Sequence, residues 1–467
     1  MRYAVAIALI VVLSPFSGIV LGEYEQDGID NFESTSIMES YSIPVQLAFD
    51  RAEDISRYSE DEILSTKEWL VVTGIPLKEH TKSLSNPISS IETKVLPGSY
   101  IWELEDGVKA VETLTKAMEI GEIESFSPLI ETKHTKKFYP NDPEFGSQWH
   151  LENSGQTGGL SGEDANLTGA WNSFNGSGVV ISIVDDGLDI SHPDIAPNYD
   201  QSASYDWCND DSDPTPLSFD GHGTAAAGVA GATGNNSIYV SGAAFGASLA
   251  GSTLIACSIN DFDESQALSY ENDYIDIYSN SWGPSDTGGI LDGPGPLMTA
   301  AFENDIFQGR DGLGNIITWA AGNGLTNDDD SNYDGYANSR YTIAVTAITH
   351  LGEQSYYAEP GANILVASHS NGDGEAITTT DIVGSGGYNS SGNVTDTFGG
   401  TSSATPLVSG IIALMLEANQ NLTWRDVQHI LVNTARVNDP ADSSWEINGA
   451  GHDAVSYTHL TLPTIAV

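Results

Sequence analysis

The chain has 467 residues, with 65 acidic side chains against 16 basic ones and a formal charge of −49. That length allows two or three domains. The charge excludes a nucleic-acid partner and repels anionic membranes, while it attracts cations and basic peptides.

At the N-terminus, Arg2 precedes an apolar run from Ala4 to Leu13, and small residues follow at Ser17, Gly18 and Gly22. This pattern predicts a secretory signal over residues 1–22, and hence an extracellular protein. The run is too short for a good transmembrane helix, and no later apolar segment reaches spanning length uninterrupted, so stable membrane insertion is not expected. Cys208 and Cys257 could form one disulfide outside the cell, but two thiols are not a disulfide framework.

Residues 23–40 are polar and acidic. From about 41 to 126, short β-like runs (Trp69 to Val72, Tyr100 to Trp102) mix with a helical one (Val108 to Ile120), which describes a small α+β unit. All nine lysines lie at or before Lys137, and from Phe138 onward four arginines stand against 42 acidic residues. The cluster Lys133-His134-Thr135-Lys136-Lys137 therefore marks a boundary, with Phe138-Tyr139-Pro140 opening the next domain. Beyond it, Val179 to Val184, Ile316 to Ala320 and Thr342 to Ile348 are apolar enough to be strands buried on both faces of a parallel sheet. The first two run into Asp or Gly-Asn clusters, as where functional residues gather outside the carboxyl ends of such strands. Segments 233–242 and 384–394 read as loops.

Three stretches carry chemistry. Asp185, in Val184-Asp185-Asp186-Gly187, ends a strand, where a carboxylate can orient a histidine and stabilise its imidazolium. His222, in Gly221-His222-Gly223-Thr224, precedes a run of small residues that suggests a helix packed tightly on the sheet. Ser402, in Gly400-Thr401-Ser402-Ser403-Ala404-Thr405-Pro406, opens a strongly apolar helix running from Leu407 to Leu416. The start of that helix offers unpaired N–H groups and the positive end of the dipole to an oxyanion. Pro406 is expected within the first turn, where its missing N–H costs little. Ser403 is the rival nucleophile. Asn323, in Trp319-Ala320-Ala321-Gly322-Asn323-Gly324, would add a side-chain donor for the oxyanion. Each stretch alone also reads blandly, as an Asp-Gly turn, a structural histidine or an Asn-Gly turn.

Together they resemble the subtilase family of serine proteases, whose acid, base and nucleophile follow in the order Asp, His, Ser. Further segments are similar to its kexin/furin-like proprotein convertase branch: Ser281-Trp282-Gly283-Pro284, Leu291-Asp292-Gly293-Pro294, Asp334-Gly335-Tyr336, and Gly410 to Asn419 followed by Asn421 to His429. The resemblance runs from about Asp142 to Gly451. It implies an α/β, subtilisin-like catalytic domain over 138–455, with a mainly parallel sheet flanked by helices. A small α+β propeptide would precede it over 23–137, acting as inhibitor and chaperone. The branch implies cleavage of protein and peptide substrates after basic, often paired, residues, and self-processing after Lys137. By position, Asp286 and Asp334 would line the pocket for the residue before the cut. Asp186, with Asp220, would serve the next pocket, and Glu264 and Asp292 one further upstream.

Calcium is also implied by the resemblance. Asp142, Asp194 and Asn236 would form one site, with carbonyls near Thr233, Ile238 and Val240. Asp286, Asp329 and Glu359 would form a second beside the specificity pocket. Oxygen-only ligands suit a hard cation. The cysteines do not fall at the branch's disulfide positions, and the tail 456–467 reads as foreign or truncated sequence where a β-rich P domain would follow. Two other readings are a broad-specificity degradative subtilisin and an inactive calcium-binding surface protein.

Overall fold

A computed structural model describes residues 58–73, 87–104, 107–130 and 138–438, a few isolated positions before Tyr58, and strand segments at 445–447, 453–455 and 460–461. The expected signal region, the Lys136-Lys137 pair and most of the tail lie outside these residues. The chain divides into two compact units, Met1–His134 and Thr135–Val467.

In the first unit, helix α1 (Glu60–Ser65) is followed by strands β1 (Glu68–Val72), β2 (Ser89–Glu92) and β3 (Ser99–Glu103), helix α2 (Gly107–Glu119) and strand β4 (Ser125–Pro128). Ser59 and Glu62 close a reciprocal capping box at the start of α1, which satisfies two of the donors a helix leaves unpaired. The four strands form an antiparallel sheet in the order β2-β3-β1-β4. One stripe of α2, Ala110, Leu114 and Ala117, packs with Trp69, Trp102 and Phe126 from the sheet. The spacing of that stripe is the helical period that the sequence displays.

The second unit contains, in order, β5 (Val180–Asp185), β6 (Tyr205–Asp206), α3 (His222–Gly231), β7 (Ser248–Thr253), α4 (Asp261–Leu268), β8 (Ile277–Asn280), α5 (Pro296–Phe307), β9 (Ile316–Ala320), β10 (Thr342–Ile348) and β11 (Ile364–His369). The hairpin β12 (Ile377–Thr380) and β13 (Val394–Phe398) follows, then α6 (Thr401–Ala418), α7 (Trp424–Thr434) and β14 (Arg436–Val437). Seven strands are parallel, in the order β11-β10-β9-β8-β5-β7-β6. Leu460–Thr461 pairs with both β11 and β14 and extends the sheet at that edge. Every residue of β5, β9 and β10 is buried. A strand covered by helices on both sides has no polar face to show, which is why these segments read as unbroken apolar runs.

The chain leaves β5 toward β6 and β7 on one side, and then returns to β8 on the other. The carboxyl end of β5 is thus a topological switch point, the place in such sheets where a crevice opens for ligands. Helix α6 is apolar and long enough to cross a membrane by composition, yet it is mostly buried. Leu407, Val408, Ile411 and Ile412 belong to the main core.

The start of α6 differs from expectation. The helix begins at Thr401, so Pro406 is its sixth residue and lies in the second turn. A proline there leaves the carbonyl four residues earlier, that of Ser402, without its helical donor. The Ser281 hydroxyl donates to that carbonyl instead, at 3.2 Å.

Cys208 and Cys257 are joined as a disulfide across a sequence separation of 49. The link ties the segment after β6 to the segment after β7. Replacing both cysteines with serine is expected to lower the unfolding free energy by about 2–4 kcal/mol. Denaturant titrations with equal midpoints for the two proteins would show that the link contributes nothing.

Candidate active site

Asp185 is the last residue of β5 and is 1% exposed. His222 is the first residue of α3. Their side chains meet: His222 Nδ1 lies 2.8 Å from Asp185 Oδ1 and 3.0 Å from Oδ2. The approach depends on Gly223, where a Cβ would stand 2.3 Å from the Gly187 carbonyl oxygen and 2.9 Å from the Asp185 Cβ. Burial alone would lower the His222 pKa, but the charge and hydrogen bond of Asp185, with Asp186 beyond it, raise it to about 9.

The segment carrying Ser402 is held from several directions. Gly400, at φ +75°, caps α6 in the left-handed region that favours glycine. Its N–H donates to Asn371 Oδ1 at 2.7 Å, and its carbonyl accepts from the Ser370 hydroxyl at 2.7 Å. Ser403 is fully buried, with its hydroxyl 2.6 Å from that of Ser370. It is therefore occupied, whereas Ser402 is partly open on the cleft. Asn323 Oδ1 accepts from the Thr401 N–H at 2.8 Å and the Thr401 hydroxyl at 3.1 Å. That orientation leaves the amide NH₂ of Asn323 as the group available to a substrate oxygen. The Ser402 N–H, near the start of α6, has no partner among the described residues.

The Ser402 hydroxyl donates to the Ser281 carbonyl at 3.3 Å and not to His222. Such contacts commonly rearrange when a substrate enters.

Beside Ser402 lies a cavity of about 220 Å³. Asn323, Ser402, Asp286, Asp334, Trp282 and Gly283 are among its walls. Asp334 Oδ1 accepts from the Tyr336 N–H at 2.7 Å, yet burial, with Asp286 and Asp292 nearby, raises its carboxyl to about 7. The acids expected upstream lie elsewhere around the cleft. Asp186 takes the N–H groups of His222 and Gly223 at 3.1 and 2.7 Å, and burial together with the Asp185 charge raises it to about 7. Asp220 is raised by burial, and one of its oxygens is enclosed without a partner. Glu264 accepts from the Tyr336 hydroxyl at 2.8 Å and is raised by burial, with Asp261 and Asp292 among its neighbours. Asp292 is exposed, and its backbone bridges to the segment carrying Asp334.

Asp286, Asp329 and Glu359 place carboxylate oxygens within 4.8 Å of one another. No lysine or arginine pairs with them among the described residues. Burial, then the charges of Asp286, Asp329 and Asp334, raises Glu359 to about 8 against the hydrogen bond from Gly324. Three converging carboxylates suit a hard cation. Asp142, Asp194 and Asn236 also meet, around one loop. Asp142 accepts from the N–H groups of Asn235, Asn236 and Ser237, while Asp194 accepts from the Asn236 amide and the Val240 N–H.

Sequence reasoning missed the support around the nucleophile. The Ser281 hydroxyl, Ser370 and Asn371 all brace the start of α6. A proline inside the coming helix was the one available signal, since it implies a carbonyl that needs another donor.

Residues 176–452 match the Subtilase family. A PC3-like endoprotease, variant B, of Hydra vulgaris is 44% identical over 321 residues, covering 67% of this chain and 44% of that protein. Proprotein convertase subtilisin/kexin type 6 of Homo sapiens is 43% identical over 322 residues, 67% of this chain and 32% of the relative. Furin of Rattus norvegicus is 40% identical over 319 residues, 67% and 38%. The chain thus spans less than half the length of these relatives. Among solved structures, a serine protease of Aeromonas sobria superposes with a TM-score of 0.65 at 27% identity, over 71% of this chain and 67% of that one.

The His222 environment has a measurable consequence. In a Ser402→Ala protein, the His222 ring resonances are expected to titrate near pH 9. In an Asp185→Asn background the raising contact is lost and burial remains, so the midpoint falls below the ordinary 6.5. Any stability that the raised pKa contributes is present below 6.5 and lost as pH rises through about 9. Equal midpoints in the two proteins, read by NMR, would show that Asp185 does not set the His222 pKa.

Proposed function

The chain belongs to the subtilase family, and from that premise we propose that it is a secreted, calcium-dependent serine endopeptidase that cleaves after basic, and preferably paired, residues. The observation that carries the specificity is the carboxylate-walled cavity opening directly onto Ser402 and Asn323. A buried Lys or Arg side chain needs an opposite charge beside it, and Asp334 supplies one inside the cavity.

In the proposed reaction, the Ser402 hydroxyl attacks the scissile carbonyl while its proton passes to His222. The developing oxyanion takes hydrogen bonds from the Asn323 amide and the Ser402 N–H. When the C–N bond breaks, His222 returns the proton to the leaving amine, and a water molecule then hydrolyses the acyl-serine by the same route. Asp185 keeps the imidazole oriented and stabilises its charged form. Ser402, His222 and the oxyanion donors act as a unit, so their effects do not partition by residue.

Asp286, Asp329 and Glu359 would hold a calcium ion, which when bound would offset two of the three negative charges and cross-link their loops. Asp142, Asp194 and Asn236 would hold another. Residues 23–137 would serve as the propeptide, removed by cleavage after Lys137.

Specificity is tested by kcat/KM on peptides ending in Lys-Arg or Ala-Ala-Pro-Phe before the cut. The Lys-Arg series is expected to be favoured, and Asp334→Asn to reduce its rate roughly 100-fold or more. N-terminal sequencing should find Phe138 first in the wild type but not in Ser402→Ala. Preference for Phe would replace this reading with a broad-specificity one. For calcium, addition at roughly 100 times Kd should stabilise the folded form by about 2.7 kcal/mol, and Asp329→Asn should diminish that gain. A melting temperature indifferent to calcium and chelator would remove the metal from the proposal.

A further inference from the structure

The loop between β12 and β13 is not used by the reaction described above, yet it is built against His222. Asp381, at its root, is fully buried. Its carboxylate accepts from the N–H groups of Ile382, Tyr388 and Asn389 at 2.8, 3.0 and 2.6 Å. Three donors on one buried carboxylate pin both ends of the 382–389 turn. The turn then leans on the residue before His222: Gly387 donates to the Ser218 carbonyl at 2.9 Å, and its Cα would lie 3.0 Å from a Cβ on Gly221.

This arrangement presents one side chain. The Tyr388 ring stands edge-on to Phe398, with centroids 5.8 Å apart, and Phe398 stands edge-on to His222 at 5.4 Å. Phe398 is 1% exposed and cannot itself meet a substrate, whereas Tyr388 is 45% exposed. Neither residue lines the acidic cavity. If the residue before the cut fills that cavity, the leaving segment must depart past His222, which has to reach both Ser402 and the leaving nitrogen. His222 is itself partly exposed, and the Phe398–Tyr388 stack abuts its ring. Burial and the charges of Asp185, Asp186 and Asp381 all push the Tyr388 phenol upward, so it stays a neutral hydroxyl.

We propose that Tyr388, seated on Phe398 and fixed by Asp381, is a specificity-determining contact for the substrate residue that follows the scissile bond, and that it favours an aromatic or long apolar side chain there. This rests on the endopeptidase reading above. The contact adds aromatic surface to a rigid base that is already ordered, so little conformational freedom is lost on binding.

The test uses internally quenched peptides that carry Lys-Arg before the cut and differ only in the next residue: Phe, Leu, Gly or Asp. Active-site titration corrects for misfolded protein. The wild type is expected to favour Phe over Gly in kcat/KM by roughly 3- to 10-fold. Tyr388→Ala should bring that ratio close to one, and Tyr388→Phe should retain it. A wild-type ratio near one, or a ratio unchanged in Tyr388→Ala, would overturn the proposal. A second peptide series with Phe before the cut separates this outcome from failure of the basic-residue reading. If only that series is cleaved, the basic preference falls, and the Tyr388 ratio is read there. Cleavage of neither series would overturn both.

Discussion

Asp185, Asp186, Asp286, Asp329, Asp334 and Glu359 are gathered in and around one cleft, and none of them pairs with a lysine or arginine among the described residues. Burying like charges together is costly, and the raised pKa values of Asp186, Asp334 and Glu359 express that cost. Three kinds of positive charge can relieve it. His222, when protonated, does so for Asp185. A cation among Asp286, Asp329 and Glu359 would relieve the second group, and a basic substrate side chain would relieve Asp334. From Phe138 onward the chain has no lysine, and a mobile resident ammonium near these acids would compete for the same partners. The second unit's arginines are placed elsewhere. Arg310 pairs with Asp276, and Arg436 pairs with Glu163.

The position of Ser402 depends on a different balance, that of backbone hydrogen bonds. Pro406 frees the Ser402 carbonyl and Ser281 takes it, while the Ser402 hydroxyl donates back to the Ser281 carbonyl. The two serines therefore hold each other across the segment following β8 and the start of α6. Ser370 and Asn371, immediately after β11, anchor Gly400. Three strand ends of the parallel sheet thus set the position of one hydroxyl: β8 through Ser281, β9 through Asn323 and β11 through Ser370 and Asn371. That is why the site tolerates a helix whose first two turns are irregular in their donors.

Much of this was legible in the sequence where local pattern and final environment agree. The strands β5, β9 and β10 are buried on both faces, so their apolar runs report them directly. Asp185, His222 and Ser402 stand in glycine-rich surroundings that close packing requires, as Gly223 shows. The position of Pro406 was not legible, because the apolar run begins at Leu407 whereas the helix begins at Thr401. The first turn is stabilised by loops after distant strands, and not by its own periodicity. The pairing of Cys208 with Cys257 depends on β6 lying next to β7, a non-local contact with no signature in spacing. Asp381 looked like any turn acid after a threonine run. Its role appears only when three N–H groups of the following loop fold back onto it.

The carboxylate cluster also constrains Asn323, the proposed oxyanion donor. Asp286 accepts from the Asn323 N–H at 3.2 Å, Glu359 accepts from the Gly324 N–H at 2.8 Å, and Asp329 accepts from the Gly288 N–H at 2.9 Å. These bonds join the cavity wall at 286–288 to the segment that presents Asn323. Each acceptor loses strength when its carboxyl is protonated, and burial with the neighbouring carboxylates pushes Glu359 up to about 8. A cation held by the three acids, as proposed, would keep all of them ionised and the acceptors strong. The same charge would lower the potential that Asp286 presents to the cavity, leaving Asp334 as the main partner of a basic side chain. Support of the oxyanion donor and division of labour between the two pocket acids would then follow from one binding event.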